Sequence, residues 1–391
     1  MRKSITSIIS LCAAFLMFMS IMPAAAGATG ENDGPLDYAA AAADRELFGA
    51  VFQGAAARPE FKVGHDWDWL DSTLMPAVAI LYDRLADTGR SVPRYLDYME
   101  KWGEYDPGTT RGPIDHGDRV CAGYTYMWLY ERSGKTSDHL EKTDDMIDFI
   151  FNDRELSQFN TKYRSYWMRF WNDDIHMVPP FLARRGRLAG AEGIKNGKDA
   201  RDLAMIYLLA YADILRDEET GLYWHDVTTI GDYMWGRGNG WAAAGMTHVH
   251  RELAADPEYA RAAGWIEKRL VRMARTLKEN RNPAGTWNAD VLDRETYDAP
   301  ETSGSAFFVY MMAYMLNRDL LPREEYLPVV LKAWNFLKRS LDEEGRLMRV
   351  QPVGRGPITD DFEMNSESYG VGAFVLAAVE LSKFTPEELE A

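Results

Sequence analysis

The sequence contains very little cysteine, two residues in 391. Cys12 lies in the apolar segment at the N-terminus, and Cys121 stands alone in the rest of the chain. We expect the N-terminal segment to be removed, so no disulfide can form within the mature protein. A chain of this length can bury a large hydrophobic core, and its stability must come from packing.

Positive charge is also scarce. Lys and Arg number 44 against 60 Asp and Glu, which gives a net charge of -16 at pH 7. A surface with this charge repels nucleic acids and anionic membranes at long range, and we expect neither as a partner. A small acidic ligand is not excluded, because hydrogen-bond donors decide its capture at short range.

One long apolar run occurs, over residues 8–22. It follows the basic residues Arg2 and Lys3 and precedes the small residues 24–26, which is the order found in a secretory signal peptide. The run is short for a membrane-spanning helix, and no stop-transfer flank follows it. We therefore predict a signal peptide over residues 1–26 and export, with the periplasm favoured and the cell exterior left open.

No linker-like change of composition divides the remaining chain. Residues 27–35 are polar and glycine-rich and are interpreted as a leader, and residues 36–391 are interpreted as one catalytic domain. We expect no membrane association after signal cleavage. The sequence does not determine the oligomeric state, and we favour a monomer.

Recognisable nucleotide and metal motifs are missing. No two of the seven histidines have the spacing of a zinc-protease helix, so we predict no catalytic metal and no cofactor. The stretch Gly236-Arg-Gly-Asn-Gly240 lacks the Lys-Ser/Thr ending of a phosphate-binding loop. We interpret it as a sugar-facing loop that presents Arg237.

Apolar residues recur at helical spacing along nearly the whole mature chain, which predicts an all-α fold. The segment 302–318 is apolar almost all round and belongs inside, whereas 258–279 is more polar and belongs outside. Similar turns at Gly221, Gly285 and Gly345 repeat at about the length of one helical hairpin. The predicted helices cover residues 36–53, 73–89, 93–104, 117–133, 139–153, 174–190, 195–216, 239–256, 258–279, 302–318, 323–342 and 367–386.

The loops that enter the even-numbered helices are rich in acids, tryptophan, glycine and capping residues. In an alternating barrel of helical hairpins these six helix starts lie at one end, so their loops meet in one cup. Unpaired N–H groups at the helix starts favour a bound carboxylate there. Capping alone explains Asp118, Thr302 and Ser303, but it does not explain the tryptophans. The six loops contain residues 65–71, 114–118, 171–174, 235–240, 300–304 and 365–368.

Aromatic residues are plentiful, with 12 Trp, 20 Tyr and 16 Phe. Flat rings stack on the faces of pyranose sugars, so tryptophans in loops suggest a sugar site. The alternative is that a large helical protein uses tryptophan for packing, and composition alone does not decide between the two.

Three aspartates are candidates for acid–base chemistry, which in glycosidases commonly uses two carboxylates. Asp173 lies between Trp171 and an apolar run, which could desolvate it and keep a proton near neutral pH. Asp174 could instead be the acid, or could serve the helix start with Asp173. Asp115, at a loop-to-helix junction, could be a cap.

Arg237 is the candidate for binding an acidic sugar. A guanidinium binds a carboxylate through two parallel hydrogen bonds. The alternative for Arg237 is a structural ion pair.

Six blocks of this sequence resemble the unsaturated rhamnogalacturonyl hydrolases, family 105 of the glycoside hydrolases, and more distantly the unsaturated glucuronyl hydrolases of family 88. The blocks occur in family order and span nearly the whole mature chain, and the fifth is the most specific. They are Trp67-Asp-Trp, Ile114-Asp-His, Trp171-Asn-Asp-Asp-Ile-His-Met-Val-Pro-Pro-Phe-Leu, Gly221-Leu-Tyr-Trp-His, Trp235-Gly-Arg-Gly-Asn-Gly-Trp and Glu301-Thr-Ser-Gly-Ser-Ala.

The resemblance implies an (α/α)6 barrel of six helical hairpins, with Asp173 as the general acid and base and Asp115 as the second acid. Two departures stand out: Asp174 follows the matched acid directly, and His176 stands where we expect a larger apolar or aromatic residue. The residues implied to bind substrate are Trp171, His225, Trp235, Arg237 and Trp241, with Trp69, Asp174 and His176 as further candidates.

The implied activity is removal of a terminal 4,5-unsaturated uronic acid from a lyase-generated acidic oligosaccharide, which is the expected partner. Asp173 would protonate C4 and activate the water that adds at C5, and Asp115 would hold the pKa of Asp173 up. The alternatives are an inverting glycosidase on a saturated sugar, a lyase, which the acidic balance disfavours, and a non-catalytic sugar-binding protein. The sequence leaves open a galacturonyl or glucuronyl terminus, the next sugar and its sulfation, and a pectin or algal source.

Overall fold

The computed structural model describes residues 34–49, 69–104, 114, 116–134, 138–152, 168–192 and 197–390. The predicted signal peptide, the leader up to Asp33 and the candidate acid Asp115 lie outside the described residues. None of the helices in the described ranges combines the length and apolar character that a bilayer span needs.

Helices make up nearly all of the regular structure in the described ranges, where β-structure is limited to isolated bridges. Helical periodicity in the sequence therefore predicted the class correctly. The long helices are α1 (Pro35–Phe48), α2 (Met75–Asp87), α3 (Pro93–Gly103), α4 (Ala122–Arg132), α5 (Asp144–Asn152), α6 (Pro179–Glu192), α7 (Gly197–Leu215), α8 (Gly236–Leu253), α9 (Ala260–Glu279), α10 (Thr302–Leu316), α11 (Arg323–Arg339) and α12 (Ser368–Leu381).

The even-numbered helices form a closed inner ring. Each packs against the next, from α2 through α4, α6, α8 and α10 to α12, and α12 closes the ring by packing against α2. Every residue of α10 is buried, as its apolar sequence predicts, whereas α9 buries one stripe and lies outside. The odd-numbered helices pack on the outside of this ring. The predicted (α/α)6 barrel of six hairpins is thus confirmed.

The third inner helix, α6, differs from its predicted form. One helix was expected over 174–190, but the structure has a short helix, Asp174–Met177, followed by α6. The break falls at Val178, before Pro179 and Pro180. Proline lacks the N–H that a continuous helix would need, so the second helix starts anew with prolines in its first turn.

The three predicted glycine turns also lie where expected. Gly221, Gly285 and Gly345 have φ values of 76°, 89° and 81°, a conformation that favours glycine. They follow the outer helices α7, α9 and α11, and antiparallel bridges join the chain on either side of Gly221 and Gly345. Each turn sends the chain back toward the end of the barrel where the next inner helix begins.

Close packing joins α8 to the short helix Asp174–Met177. A Cβ atom added to Gly245 would lie 2.8 Å from the backbone nitrogen of His176 and still closer to the carbonyl of Ile175. These neighbours are backbone atoms, which cannot turn aside as a side chain does. Glycine at this position therefore lets the two helices approach.

We predict that Gly245→Ala lowers the free energy of unfolding by about 2 kcal/mol or more, because the methyl group overpacks a rigid contact. Gly264→Ala is the matched control: Gly264 lies inside α9 with no atom within 4 Å of an added Cβ. Alanine there should raise stability by roughly 0.5–1 kcal/mol through helix propensity. Urea denaturation of both variants measures this, and equal effects at the two sites would contradict the packing described.

Candidate active site

A cavity of about 500 Å³ lies at the end of the barrel where the inner helices begin. The loops that enter α2, α4, α6, α8 and α12 contribute to its wall, so five of the six loops predicted to form a cup meet here, while residues 300–304, which enter α10, are not among the lining residues. The lining residues are Trp69, His116, Asp118, Arg169, Trp171, Asp173, Met177, His225, Trp235, Arg237, Trp241, Val353, Gly354 and Arg355.

The loop that carries Asp173 is held from both sides. Phe170 adopts a φ of 56°, which is unusual for a bulky residue, and its N–H donates to the Tyr211 hydroxyl at 3.1 Å. On the other side, the N–H of Asn172 donates a hydrogen bond to the carbonyl oxygen of His225 at 2.8 Å. These bonds fix the direction in which Asp173 enters its helix.

Asp173 lines the cavity beside His225. The carboxylate oxygen Oδ2 lies 3.2 Å from His225 Nε2, and its side chain is 16% exposed while that of His225 is 1% exposed. The other ring nitrogen, Nδ1, lies 3.2 Å from Oδ2 of Asp226. The His225 ring also contacts the indoles of Trp171 and Trp235, with centroids 5.6 and 5.2 Å away. His225 therefore lies between the carboxylates of Asp173 and Asp226.

The raised pKa expected of Asp173 is not found in the free protein. Burial raises its pKa, but contact with His225 and the charges of Arg169 and Arg237 outweigh burial, so the pKa lies below its ordinary value of 3.8. The expectation of a proton held near neutral pH by apolar neighbours was therefore wrong. Apolar residues lie next to Asp173 in the sequence, but cationic groups surround it in space.

Asp174 points away from the cavity. Its Oδ1 accepts from Arg169 Nη2 and its Oδ2 from the Tyr211 hydroxyl, both at 2.8 Å, and the side chain is fully buried. Burial raises the pKa of Asp174 to about 6, although Arg169 acts in the opposite direction. Asp174 was a candidate for substrate contact, and the geometry instead makes it an internal support of the loop.

Arg237 projects from the first turn of α8 into the cavity wall. Its Nη1 and Nη2 donate to the backbone oxygens of Gln351 at 2.6 Å and Pro352 at 3.0 Å. The guanidinium also lies over the rings of Trp235 and Tyr369, 4.5 and 4.8 Å from their centroids. Within the described ranges it forms no ion pair, so the structural ion pair considered from the sequence is not what holds it.

The glycine-rich stretch 236–240 is not a loop, as we had interpreted it, but the start of α8. A Cβ on Gly238 would lie 2.8 Å from Asn172 Nδ2, and one on Gly240 would lie 2.9 Å from the Phe307 ring. Glycine here serves close packing of the helix, which presents Arg237 on a rigid element.

The predicted tryptophans Trp69, Trp171, Trp235 and Trp241 all line the cavity. Trp69 stacks on Tyr369 with centroids 5.5 Å apart and meets Trp241 edge-on at 6.4 Å. Their packing fixes the rings, so that they form a firm aromatic wall of the kind that stacks on sugars.

His176, a further candidate for substrate binding, does not line the main cavity. It lies behind the wall against Trp241, Phe307 and His248, with centroids 5.0, 5.9 and 5.7 Å away. Burial lowers its pKa to about 3, although the charge of Asp173 acts in the opposite direction. We therefore describe His176 as a neutral part of the core beneath the site.

Sequence reasoning missed an ion cluster in the wall. Arg169 donates from Nη2 to Asp118 Oδ1 at 2.7 Å and from Nη1 to Oδ2 at 2.9 Å, and it also binds Asp174. We had interpreted Asp118 as a helix cap, but its carboxylate is used in this pair. The partners are 51 residues apart in the chain, so local spacing gave no signal.

Gln351 was also missed, and it connects several parts of the wall. Its Oε1 accepts from Trp235 Nε1 at 3.2 Å, and its backbone oxygen accepts from Arg237 and, at 2.6 Å, from the Tyr369 hydroxyl. Its backbone N–H donates to Glu301 at 3.1 Å, which ties in the loop that enters α10. Gln351 has no catalytic neighbour in sequence, so nothing in the motif pattern pointed to it.

Among the described residues, no three His, Cys, Asp or Glu side chains converge as a metal site would require. Cys121 is buried and forms no disulfide within the described ranges, and its Sγ donates to the carbonyl oxygen of Asp118 at 3.0 Å. The ionisable groups among the described lining residues are two carboxylates, two imidazoles and three guanidinium groups.

A barrel of six helical hairpins, with a carboxylate set among indoles and guanidinium groups in its mouth, is typical of carbohydrate-active enzymes. The family model for Glycosyl Hydrolase Family 88 matches residues 51–385. The chain belongs to that family and is a glycoside hydrolase.

Individual relatives agree with this assignment. The chain is 27% identical over 311 residues to the "Unsaturated 3S-rhamnoglycuronyl hydrolase" of Formosa agariphila. The matched region covers 74% of this chain and 78% of that protein. A family 88 structure from Bacteroides vulgatus shares 23% identity and a TM-score of 0.71, over 90% of this chain and 99% of the other. A structure from Salmonella enterica, described as a possible member of the GH105 family, has a TM-score of 0.72 at 16% identity, over 91% and 96% of the two chains.

The buried His176 yields a prediction about stability at acidic pH. In the unfolded chain histidine binds a proton below its ordinary pKa of 6.5, whereas His176 in the folded protein does so only below about 3. The unfolded state therefore binds more protons in this window, and this residue lowers stability by about 1.4 kcal/mol per pH unit as the pH falls.

His176→Met should therefore lose stability less steeply between pH 6.5 and about 3 than the wild type does. Asp174 and His248 titrate in both proteins, so the difference between the two slopes isolates His176. Urea denaturation across the pH range measures it. Parallel curves for the two proteins would show that His176 is not held neutral.

Proposed function

We propose that this glycoside hydrolase removes a terminal 4,5-unsaturated uronic acid from acidic oligosaccharides made by a polysaccharide lyase. One observation carries the proposal: Asp173 and Arg237 line the same aromatic cavity, and Arg237 forms no ion pair within the described ranges. An acid that reaches the sugar ring and a cation for its carboxylate are what this substrate needs. The name of the Formosa agariphila relative, an unsaturated 3S-rhamnoglycuronyl hydrolase, supports it.

Arg237 is the proposed partner of the uronate carboxylate. It is 1% exposed, and its guanidinium is oriented by two backbone carbonyls and two aromatic rings. Such a group is preorganised, so little side-chain entropy is lost when an anion binds. Trp235 and the other indoles would stack on the sugar and exclude water from it.

The proposed reaction begins at the double bond. The C4=C5 bond is a vinyl ether through the ring oxygen, and a proton from Asp173 adds to C4. Positive charge develops at C5 and is shared by the ring oxygen, and water adds at C5 after losing a proton to the same carboxylate. The hemiketal then opens by breaking the bond between C5 and the ring oxygen. This gives a ketone at C5 and a hemiacetal at C1, and the hemiacetal releases the second sugar as it becomes an aldehyde.

Substrate binding would change the protonation of Asp173. In the free protein the charges of Arg169 and Arg237 and contact with His225 lower the pKa of Asp173. A uronate carboxylate bound to Arg237 cancels part of this positive charge, and the sugar displaces water from the cavity. Both effects raise the pKa, so the acid becomes protonated in the complex, where it is used.

An inverting glycosidase needs a second carboxylate that is free to activate a water. Asp118 also lines the cavity, but both of its oxygens accept hydrogen bonds from Arg169, so neither is free to position a catalytic water. Asp115 remains the proposed second acid, on the basis of the resemblance alone, since it lies outside the described residues.

We also propose that the chain is exported and acts in the periplasm as a single catalytic domain. The basic, apolar and small-residue order over residues 1–26 supports export. Lyase products small enough to cross an outer barrier would reach the enzyme there.

Asp173→Asn should lower kcat by roughly a thousandfold, because amide protons cannot replace the acid and base. Loss of the ultraviolet absorbance of the conjugated double bond measures the rate on lyase-generated oligosaccharides. Asp174→Asn is the matched control: its amide keeps one oxygen that can accept from Arg169 or Tyr211, so it should lower the melting temperature and reduce kcat far less than Asp173→Asn does. An active Asp173→Asn beside an inactive Asp174→Asn would reverse the assignment, and constant absorbance with the wild type would remove the proposed activity.

A second prediction concerns pH. The acid must be protonated, so activity falls as the pH rises through the pKa of Asp173. That pKa is below 3.8 in the free enzyme and is raised on binding, so kcat should persist to a pH at least about one unit higher than kcat/KM does. Full pH profiles of kcat and kcat/KM test this, and coincident profiles would show that the bound uronate leaves the pKa of Asp173 unchanged.

A further inference from the structure

His225 has a carboxylate beside each of its ring nitrogens. Its Nε2 lies 3.2 Å from Oδ2 of Asp173, and its Nδ1 lies 3.2 Å from Oδ2 of Asp226. The imidazole is buried, and the indoles of Trp171 and Trp235 pack against it with centroids 5.6 and 5.2 Å away. Because this packing fixes the orientation of the ring, each nitrogen keeps its own carboxylate.

The carboxylate of Asp226 is oriented by its own loop. Its second oxygen, Oδ1, accepts hydrogen bonds from the backbone N–H of Thr228 at 2.7 Å and from the Thr228 hydroxyl at 2.5 Å. The N–H of Asp226 donates to Thr229 Oγ1 at 3.0 Å, and the N–H of Thr229 donates to the carbonyl oxygen of Asp226 at 3.1 Å. This turn holds Oδ1 on the side of Thr228 and leaves Oδ2 facing His225.

A carboxylate beside Nδ1 decides where the imidazole carries its protons. Neutral imidazole has one N–H, and an anionic acceptor beside one nitrogen favours the proton on that nitrogen. With a proton held on Nδ1 by Asp226, a proton on Nε2 is the one that can leave the ring. Nε2 faces Asp173, so this second proton lies between His225 and the proposed catalytic acid.

We propose that Asp226 is a positioning residue for the catalytic proton: it holds one proton on Nδ1 of His225, so that the proton on Nε2 is available to Asp173. This inference rests on the proposed function, in which Asp173 becomes protonated when the uronate binds. In that step the bond between Nε2 and its proton breaks, the proton bonds to Oδ2 of Asp173, and His225 becomes neutral. The proton that water later gives to Asp173 returns to Nε2 when the product leaves, which restores the starting state.

The other groups around this pair are also defined. Arg169 and Arg237 are the other charged groups that act on Asp173. Near Asp226, Tyr233 stays neutral, because burial raises its pKa to about 12, with a smaller contribution from the charge of Asp226. These groups are the same in the wild type and in a variant at position 226, so a difference between the two proteins reports on Asp226 and His225.

Asp226→Asn tests the proposal, because its amide presents a donor where the carboxylate presents an acceptor. The backbone N–H of Thr228 keeps the amide oxygen on its side, so the NH2 group faces Nδ1. Nδ1 must then accept, and the one proton of the neutral ring moves to Nε2, where it is held toward ionised Asp173. We expect kcat on lyase-generated oligosaccharides to fall by about a hundredfold or more, with KM changed by less than about threefold. The loss should become smaller as the pH is lowered, because solvent then protonates Asp173 directly.

Asp232→Asn is the matched control, since it removes the same charge from the same loop at a solvent-exposed position. It should keep the wild-type kcat and pH profile. Unchanged kcat in Asp226→Asn, or a loss of equal size at every pH, would overturn the role of Asp226 while the proposed function stands. No cleavage by the wild type would overturn both.

Nitrogen-15 nuclear magnetic resonance of the histidine rings reads the same proton without any substrate. His225→Gln identifies the signals of His225 by their loss. We expect Nδ1 to carry a proton in the wild type and to lack it in neutral His225 of Asp226→Asn. A wild-type ring with its single proton on Nε2 would overturn the proposal, whatever the outcome of the activity measurements.

Discussion

The ion cluster around Arg169 is the interaction on which the site depends. Arg169 joins Asp118, in the loop that enters α4, to Asp174, at the start of the short helix before α6. Burial alone would lower the pKa of Arg169, but Asp174 and Asp118 raise it above the ordinary value, so the charge is retained. Asp174 in turn accepts from Tyr211, whose hydroxyl also holds the strained backbone at Phe170. Together with the bond from the Asn172 N–H to the His225 carbonyl oxygen, this cluster fixes the direction of Asp173.

The charges around the cavity run against the acidic balance of the chain, because three arginines and two aspartates are among its lining residues. Although burial raises the pKa of Asp173, contact with His225 and the charges of Arg169 and Arg237 lower it below its ordinary value in the free protein. The substrate's carboxylate would then offset part of this positive charge and raise the pKa of Asp173, so that Asp173 takes up a proton. A site of this kind uses the charge of its ligand to prepare the catalyst, so binding and acidity are linked.

Much of the fold could be predicted from sequence because helical periodicity is a local property. The closed ring follows from alternation of apolar helices such as α10 with more polar ones such as α9, and the cup follows from which helix ends share a side. Pro179 and Pro180 divide the helix expected over 174–190. Residues 236–240, which were expected to form a loop, begin α8 instead, where Gly238 and Gly240 allow close packing.

The site could be predicted only in part. Asp173, Arg237, His225 and the tryptophans were found because they occur in recognisable blocks, and all of them line the cavity. The pKa of Asp173 was predicted with the wrong sign, because its neighbours in space, such as Arg237, are distant in the chain. The roles of Asp118 and Gln351 depend on contacts between residues far apart in the chain, for which local sequence carries no signal.

The central claim is that Asp173 delivers a proton to C4 of an unsaturated sugar. The most direct measurement is the reaction run in heavy water, with the product examined by mass spectrometry and nuclear magnetic resonance. An early-time product with one deuterium bound to C4 is the predicted result. Release of the second sugar with the double bond retained and no deuterium at C4 would show ordinary cleavage at C1 and contradict this mechanism.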